Sequence, residues 1–449
     1  MHYEKFQDGT VKCIEDEIPF EVPEGWAWCK LNDIYNFIDY RGATPTKITN
    51  GIPLVTAKNV KSGYIDYTID DYISEEEFKE RQQRGISKKG DILFTTEAPL
   101  GNAALADMEK FSAGQRLITF QQYGSKNELI NYVMLMFILS DFFQQQLYVN
   151  KTGSTVAGIK AAILKTLWIP VPPYNEQLRI SNTLKSAINL IDSISKKKEI
   201  LSTSISNTKS KILDLAIRGK IVPQDPNDEP ASVLLERIRA EKEELIKQGK
   251  IKRDKKESVI FKGDDNSYYG IHLPDSWNWA SLREIALSIS DGSHNPPPNN
   301  GSGIPLLSAA NINDNSILMN EISRWITNEE WKIENQRTNI EVGDVLLTIV
   351  GSIGRSAVVQ NNNHFALQRS VAVIKPCLIN PLYLMHIVQS PQIQKWLTDN
   401  SKGTAQKGIY LNALSLMIIP IPPLAEQARI VEHIHIAYKH LDLISNALL

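Results

Sequence analysis

Two glycine-bearing stretches are the first places where this 449-residue sequence could hold a chemical group. TGSTVAGIK, from Thr152, leaves four residues between Gly153 and Gly158, the glycine spacing of a phosphate loop. That loop needs Lys directly after the second glycine, then Ser or Thr. Ile159 stands there instead. In the similar stretch KGTAQKGIY, from Lys402, Gly408 is followed by Ile409 and Tyr410. Both therefore read as loops presenting polar side chains to a partner. HNPPPN at His294 and VPPYN at Val171 approach the (Asn/Asp/Ser)-Pro-Pro-aromatic pattern of amino-group methylation. The first lacks the aromatic, the second lacks the polar leading residue, and no Phe-x-Gly-x-Gly loop accompanies either. Prolines that punctuate loops and helix starts account for both. GSIGRS at Gly351 reads as a hairpin turn before a strand rather than a phosphate nest. His433 and His435, two apart on a helix, do not converge on one metal. Cys13, Cys29 and Cys377 have no metal-type spacing and point to a reducing, cytoplasmic setting. No nucleophile–base pair stands out, so the polar loops are expected to recognise something rather than transform it.

A long internal repeat must position these loops. IPVPPYNEQLRI from Ile169 returns as IPIPPLAEQARI from Ile419. PEGWAWCKLNDI at Pro23 matches PDSWNWASLREI at Pro274, and GIPLVTAKNV at Gly51 matches GIPLLSAANI at Gly303. KGDILFTT at Lys89 pairs with VGDVLLTI at Val342, PLGNAALAD at Pro99 with SIGRSAVVQ at Ser352, and GQRLITF at Gly114 with LQRSVAV at Leu367. Offsets stay between 250 and 253 residues, so the order is fixed and insertions are few. The unit is too long for a solenoid repeat.

Within each copy VTAKNV, DILFTT and LITFQQ are short strands bounded by turn residues. NELINYVMLMFILSDFFQQQL, from Asn127, reads as one buried helix, with NPLYLMHIVQSPQIQKWL, from Asn380, as its counterpart. Each copy is thus a mixed α/β globule. After the double prolines the pattern changes to heptads. Ile180, Leu184, Ala187, Ile191, Ile194, Lys198, Leu201, Ile205, Thr208, Ile212 and Leu215 alternate steps of four and three. Ile430, Ile434, Ala437, Leu441, Ile444 and Leu448 repeat those steps. A helix with such a stripe needs a partner. The expected fold is α+β: two similar globules joined by two long helices in an antiparallel coiled coil. The expected boundaries are an N-terminal extension 1–22, a first globule 23–173, a central region 174–258, a second globule 259–423 and a distal helix 424–449. The central region holds the long helix, a proline-rich turn, a charged helix from Ala231 to Gly249 and a basic linker.

The composition is that of an ordinary folded chain, 42% hydrophobic and 22% charged. No apolar run reaches membrane-span length, and the N-terminus is not expected to be a secretory signal. The net charge is −2, but from Glu176 to Lys256 there are 18 Lys and Arg against 12 Asp and Glu. The basic centre leaves an acidic remainder, so net charge alone does not decide on a nucleic-acid partner.

In the order of its repeated strands, TGST/KGTA loops and Pro-Pro helix starts, with AIRGKIVPQDPNDEPASVLLERI between them, the chain resembles the specificity subunit of Type I restriction–modification enzymes. The resemblance covers nearly the whole chain. It implies that each globule reads one half of a split, asymmetric site on double-stranded DNA, while the helices space the globules and dock two methyltransferase subunits. It further implies two restriction subunits in the full complex. S-adenosylmethionine, ATP and Mg²⁺ would sit on those partners, and no cofactor on this chain, which would be non-catalytic. The resemblance also implies a second helix comparable to the first, whereas the second stripe stops at Leu448.

On that reading the polar and basic residues of loops beside the repeated strands are the DNA-binding candidates. In the first copy they are Arg41, Thr44, Lys47, Lys58, Asn59, Lys61, Arg116, Lys151, Thr152, Ser154 and Lys160. In the second they are His294, Asn295, Asn311, Asn313, Arg355, Arg369, Lys402, Thr404, Gln406, Lys407 and Tyr410. Arg116 and Arg369, each preceded by Gln, recur in both copies, which suits phosphate or scaffold contact better than base discrimination. KITNG at Lys47 faces the longer NPPPNNGSG, so the half-sites should differ. Trp26, Trp28, Trp277 and Trp279 are expected to pack rather than stack on bases. The competing reading is a coiled-coil adaptor that binds proteins and reads no DNA.

Overall fold

The computed structural model describes residues 3–40, 44–123, 129–153, 157–253, 260, 267–403 and 407–447. Two compact units divide it, Met1–Ile194 and Ser195–Leu449. Unit one is built on a four-stranded antiparallel sheet in the order Tyr35–Asp39, Leu117–Gln122, Ile92–Thr96, Leu100–Leu105. Its central strands are continuous apolar runs because both faces are covered. Every residue from Ile92 to Thr96 is buried, and Phe94 stacks on Phe120 with ring centroids 5.4 Å apart. A mixed sheet (Tyr72–Ile73, Ile52–Val55, Ser112–Ala113) flanks it. The Trp-bearing strand Ala27–Lys30 pairs with Trp168–Val171, just before the double prolines.

Unit two repeats this plan. Its four-stranded sheet runs Ala286–Asp291, Val371–Pro376, Val345–Thr348, Ser356–Val358. Asn278–Ser281 pairs with Ile418–Ile421. The duplication extends to single hydrogen bonds. Buried Gln177 accepts from Ile130 N at 2.8 Å and donates to Pro172 O at 2.9 Å. Gln427 accepts from Asn380 N at 2.9 Å and donates to Pro422 O at 3.1 Å. The Gln of each repeated helix start thus ties the double proline to the helical layer. Gly101 and Gly354, with φ of 93° and 99°, admit Gln144 and Gln394 so closely that a Cβ would lie 2.4 Å and 2.3 Å from their Oε1 atoms. Only glycine suits both the turn and that approach.

The apolar stretch from Asn127 is two helices rather than one, Asn131–Leu139 and Asp141–Val149. Ser140 ends the first by donating to Phe137 O at 2.6 Å and caps the second by accepting from Phe143 N at 3.4 Å. Proline at the first turn of Pro391–Asp399 places the same break in unit two. VTAKNV is strand only to Val55; a turn organised by Asn59 follows.

The heptad stripe forms one helix, Tyr174–Ile217, of 44 residues, about 66 Å at 1.5 Å per residue. Within unit two its last turns run antiparallel to Leu424–Asn446. Leu213, Ala216 and Ile217 share a core with Ile430 and Ile434. Four residues earlier, Lys209 meets positions further along the second helix: Asp442 at 2.5 Å and the Tyr438 ring at 5.1 Å. Ile205 is buried, while Ile212, Leu215, Ala437 and Leu441 are half-buried. The expected seam is not covered throughout, which corrects the sequence reading. Ala187, Ile191, Ile194 and Leu201 are exposed, Ile180 and Leu184 half-buried, and Ile444 exposed. A 23-residue helix can cover only about half of a 44-residue stripe. Leu448 lies outside the described residues. Among the described residues no helix is long and apolar enough to cross a membrane.

Candidate nucleic-acid interface

In each unit the glycine loop is stitched to the end of a central sheet strand. In unit one Thr152 and Gly158 exchange backbone hydrogen bonds of 2.8 and 3.0 Å, and Ile159 N donates to Thr96 O at 3.0 Å. In unit two Lys402 and Gly408 exchange bonds of 2.8 and 2.9 Å, and Ile409 N donates to Ile349 O at 2.9 Å. The Gln-Arg turn joins the same place: Thr96 N and Oγ1 both donate to Arg116 O, at 2.9 and 3.1 Å. A rigid strand end therefore presents a polar loop and an arginine together. Arg41, Ser154, Thr404 and Gln406 lie outside the described residues.

Unit two shows a site of defined shape. His294, Arg369, Lys402 and Tyr410, four of the expected residues, line a single cleft of about 330 Å³ with Asp291 and Gly408. His294 Nε2 lies 2.8 Å from Asp291 Oδ2 and 3.2 Å from Arg337 Nη2. Arg337 also pairs with the Asp291 carboxylate and donates from Nε to Asp291 O at 2.9 Å. Asp291 thus fixes two cationic or polar groups at the rim. Arg369, Lys402 and Lys407 are exposed and form no ion pair among the described residues, while exposed Arg355 acts on the Asp314 carboxylate through its charge. Asn295, Asn313 and Tyr410 are exposed as well. The surface can accept phosphate oxygens, and its amide, imidazole and phenol groups can reach base edges.

The expected cations of unit one are mostly engaged. Arg116 lies 3.0 Å from Glu97, Lys47 2.7 Å from Asp71, and Lys61 3.9 Å from Asp66. Lys151 sits 3.6 Å over the Tyr148 ring. Gln115 donates to Thr44. Lys58, Lys151, Thr152 and Lys160 are exposed. One position contributes to the difference between the units. Unit two has Val350 where unit one has Glu97, and each flanks the loop glycine.

Two expected residues belong to the framework instead. Asn59 is 3% exposed; it accepts from Thr56 N and Oγ1 at 2.9 and 2.8 Å and donates to Asp66 O and Ile69 O at 3.0 and 2.9 Å. Asn311, equally buried, accepts from Ser308 N at 3.0 Å and donates to Glu321 O at 2.8 Å. Their buried amides organise turns rather than face a partner. Trp277 and Trp279 are buried and Trp26 and Trp28 half-buried, as packing residues. Asp291 and Arg337 were not anticipated. Their signal was recurrence, since Asp39 and Arg84 occupy the same places in the first copy. Among the described residues no three His, Cys, Asp or Glu side chains cluster as a metal site.

The sequence model of the Type I restriction modification DNA specificity domain matches residues 23–202 and again 274–448. The EcoBI specificity subunit of Escherichia coli, named as part of a Type I restriction enzyme, is 23% identical over 98% of this chain and 85% of its own length. The EcoAI specificity subunit of Escherichia coli is 34% identical over 51% of this chain and 38% of its own length. Two solved structures share the fold. A chain from work on complex assembly and conformational transition of the type I R-M system is 18% identical, with a TM-score of 0.61 over 96% of this chain and 94% of that one. The HsdS subunit from Thermoanaerobacter tengcongensis is 17% identical, with a TM-score of 0.52 over the same shares.

Proposed function

The chain belongs to the Type I restriction modification DNA specificity family, and from that premise we propose that it is the sequence-reading subunit of a Type I restriction–modification complex. Each globule reads one half of a bipartite, asymmetric target on double-stranded DNA. The observation that carries this is a shared framework with dissimilar tips. The same glycine loop closes both sheets, yet the groups around it differ: Thr96 N donates to Arg116 O where Ile349 N donates to Ser370 O, Glu97 stands against Val350, and KITNG against NPPPNNGSG. Equal frameworks bind phosphates alike, while different tips select different bases.

The chain performs no bond chemistry itself. Two methyltransferase subunits dock on its helices, two restriction subunits complete the assembly, and S-adenosylmethionine, ATP and Mg²⁺ sit on those partners in the cytoplasm. The five-segment division, 1–22, 23–173, 174–258, 259–423 and 424–449, is the functional map we adopt. The residue count of the long helix sets the unread gap between half-sites. The chain, co-expressed with its methyltransferase partner, is tested by footprinting on a genomic library. One bipartite footprint is expected, and binding that is equal on all sequences would overturn the reading.

A further inference from the structure

The loop after strand Ala286–Asp291 of unit two holds its histidine from both sides. Gly292 packs so tightly on the next turn that a Cβ would lie 2.1 Å from Leu367 O. Ser293 N donates to Leu367 O at 2.7 Å, and Arg369 N donates to Ser293 O at 3.0 Å. Beyond the histidine, Arg324 Nη2 donates to Pro297 O at 2.7 Å, within a run of three prolines whose φ angles are fixed by their rings. His294 therefore reaches the cleft it shares with Arg369 and Lys402 from a backbone with little freedom.

The ring is oriented as well as placed. Asp291 is 7% exposed, and both of its carboxylate oxygens are used, Oδ1 by Arg337 Nη2 and Oδ2 by His294 Nε2 at 2.8 Å. A carboxylate oxygen only accepts, so Nε2 carries the hydrogen of that bond. Arg337 Nη2, 3.2 Å from the same ring nitrogen, is also a donor and is held by Asp291. The Asp291 charge is thus already paired with a guanidinium. A neutral ring donating from Nε2 has its lone pair on Nδ1. That atom forms no hydrogen bond among the described residues, and the side chain is 52% exposed. Three residues past Asp39 the first copy has Gly42, so the imidazole belongs to unit two alone.

We propose that His294 is a base-reading residue of unit two whose Nδ1 accepts a hydrogen bond from an exocyclic amino group in the major groove, N6 of adenine or N4 of cytosine, and that Asp291 is the positioning residue that fixes the ring for it. The inference rests on the sequence-reading function proposed above and names the chemical group that one of its readers takes. The division of labour in the cleft follows from charge. Arg369 and Lys402 are donors only and suit phosphate oxygens, whereas the clamped imidazole offers an acceptor, which a phosphate cannot use and a base amino group can. Asp291 and Arg337 touch no base. They decide which ring nitrogen is left for one.

The test selects targets from random duplexes with the full chain and its methyltransferase partner, for the wild type and three variants. His294→Gln places its amide where Nε2 lies and keeps a donor for Asp291, but removes the acceptor. It should lose base preference at one position of one half-site. At that position, replacing the amino-bearing base by its analogue without the amino group (unsubstituted purine for adenine, pyrimidin-2-one for cytosine) should weaken wild-type binding roughly threefold to tenfold, the loss of one hydrogen bond, while His294→Gln binds both duplexes equally. His294→Asn places its amide oxygen where Nδ1 lies and should keep the wild-type preference. In Asp291→Asn the amide oxygen is needed by Arg337, so its NH₂ turns to Nε2 and the ring hydrogen moves to Nδ1. That variant should select a different base pair there, a change that mere loosening of the loop would not produce. If the wild type selects no bipartite motif, the sequence-reading function itself fails. If it does, and His294→Gln selects the same motif, or the wild type is indifferent to loss of the amino group, that function stands and the role given to His294 is overturned.

Discussion

The sharpest consequence of the unequal units concerns one position. Arg116 carries Glu97 at 3.0 Å, and both side chains are about half exposed (54% and 44%). Arg369 lines one cleft with Val350, which stands where unit one has Glu97. An exposed pair of this kind is worth only about 0–1 kcal/mol, yet a phosphate approaching Arg116 must compete with Glu97, while one approaching Arg369 does not. Exchanging the two residues should exchange the behaviour. Each phosphate contact contributes about 0.9 to the slope of log K against log salt. Over a fourfold change in salt that is roughly a threefold to fourfold change in affinity. Val350→Glu should therefore lower DNA affinity several-fold at low salt and flatten the salt slope by about one unit. Glu97→Val should steepen the slope by a similar amount. The assay is fluorescence anisotropy of a target duplex with the chain and its methyltransferase partner, from about 50 to 200 mM salt. Equal slopes for wild type and both variants would refute the assignment of these arginines to phosphate contact.

Three further outcomes follow from the same geometry. Gln177→Ala and Gln427→Ala each remove two hydrogen bonds to backbone and strand a buried N–H, so each should cost roughly 1–3 kcal/mol in denaturant unfolding of its own unit, with little change in the other. Burial pushes the His386 imidazole down to about 4. Its depressed value means that the unfolded chain takes up the proton first. Stability should be whole above the ordinary histidine value near 6.5 and fall as pH drops toward about 4, by up to about 3 kcal/mol; His386→Phe should flatten that acid limb in pH-dependent melting. Insertion of seven residues in the exposed stretch of the long helix adds about 10 Å of rise. Methylome sequencing should then show a gap wider by about three base pairs of B-DNA, with both half-sites unchanged.

Much of this architecture was legible in the sequence, for identifiable reasons. The repeated Pro-Pro-x-x-Glu-Gln stood out because Gln177 and Gln427 do the same job in both units, and identical bonding demands identical residues. His294, Arg369, Lys402 and Tyr410 could be chosen from loop position and polarity, and the fold does bring them to one cleft. Loop position does not reveal which way an amide points, so it cannot distinguish Asn59 and Asn311, which organise turns, from contact residues. Asp291 and Arg337 lie 46 residues apart and meet only through the fold. Ser140 hid its role inside an apolar run because a cap needs only one hydroxyl. The heptads of the long helix read the same whether covered or open, so the exposure of Ile191 and Ile194 could not be anticipated from their spacing.

Replacing residues 23–173 with the corresponding domain of another family member, then sequencing the methylome of a host that expresses the chimera with its methyltransferase partner, tests the central claim most directly. Two independent readers on one chain require that one half of the methylated site change while the other half stays as it was. A site altered in both halves, or in neither, would contradict the account.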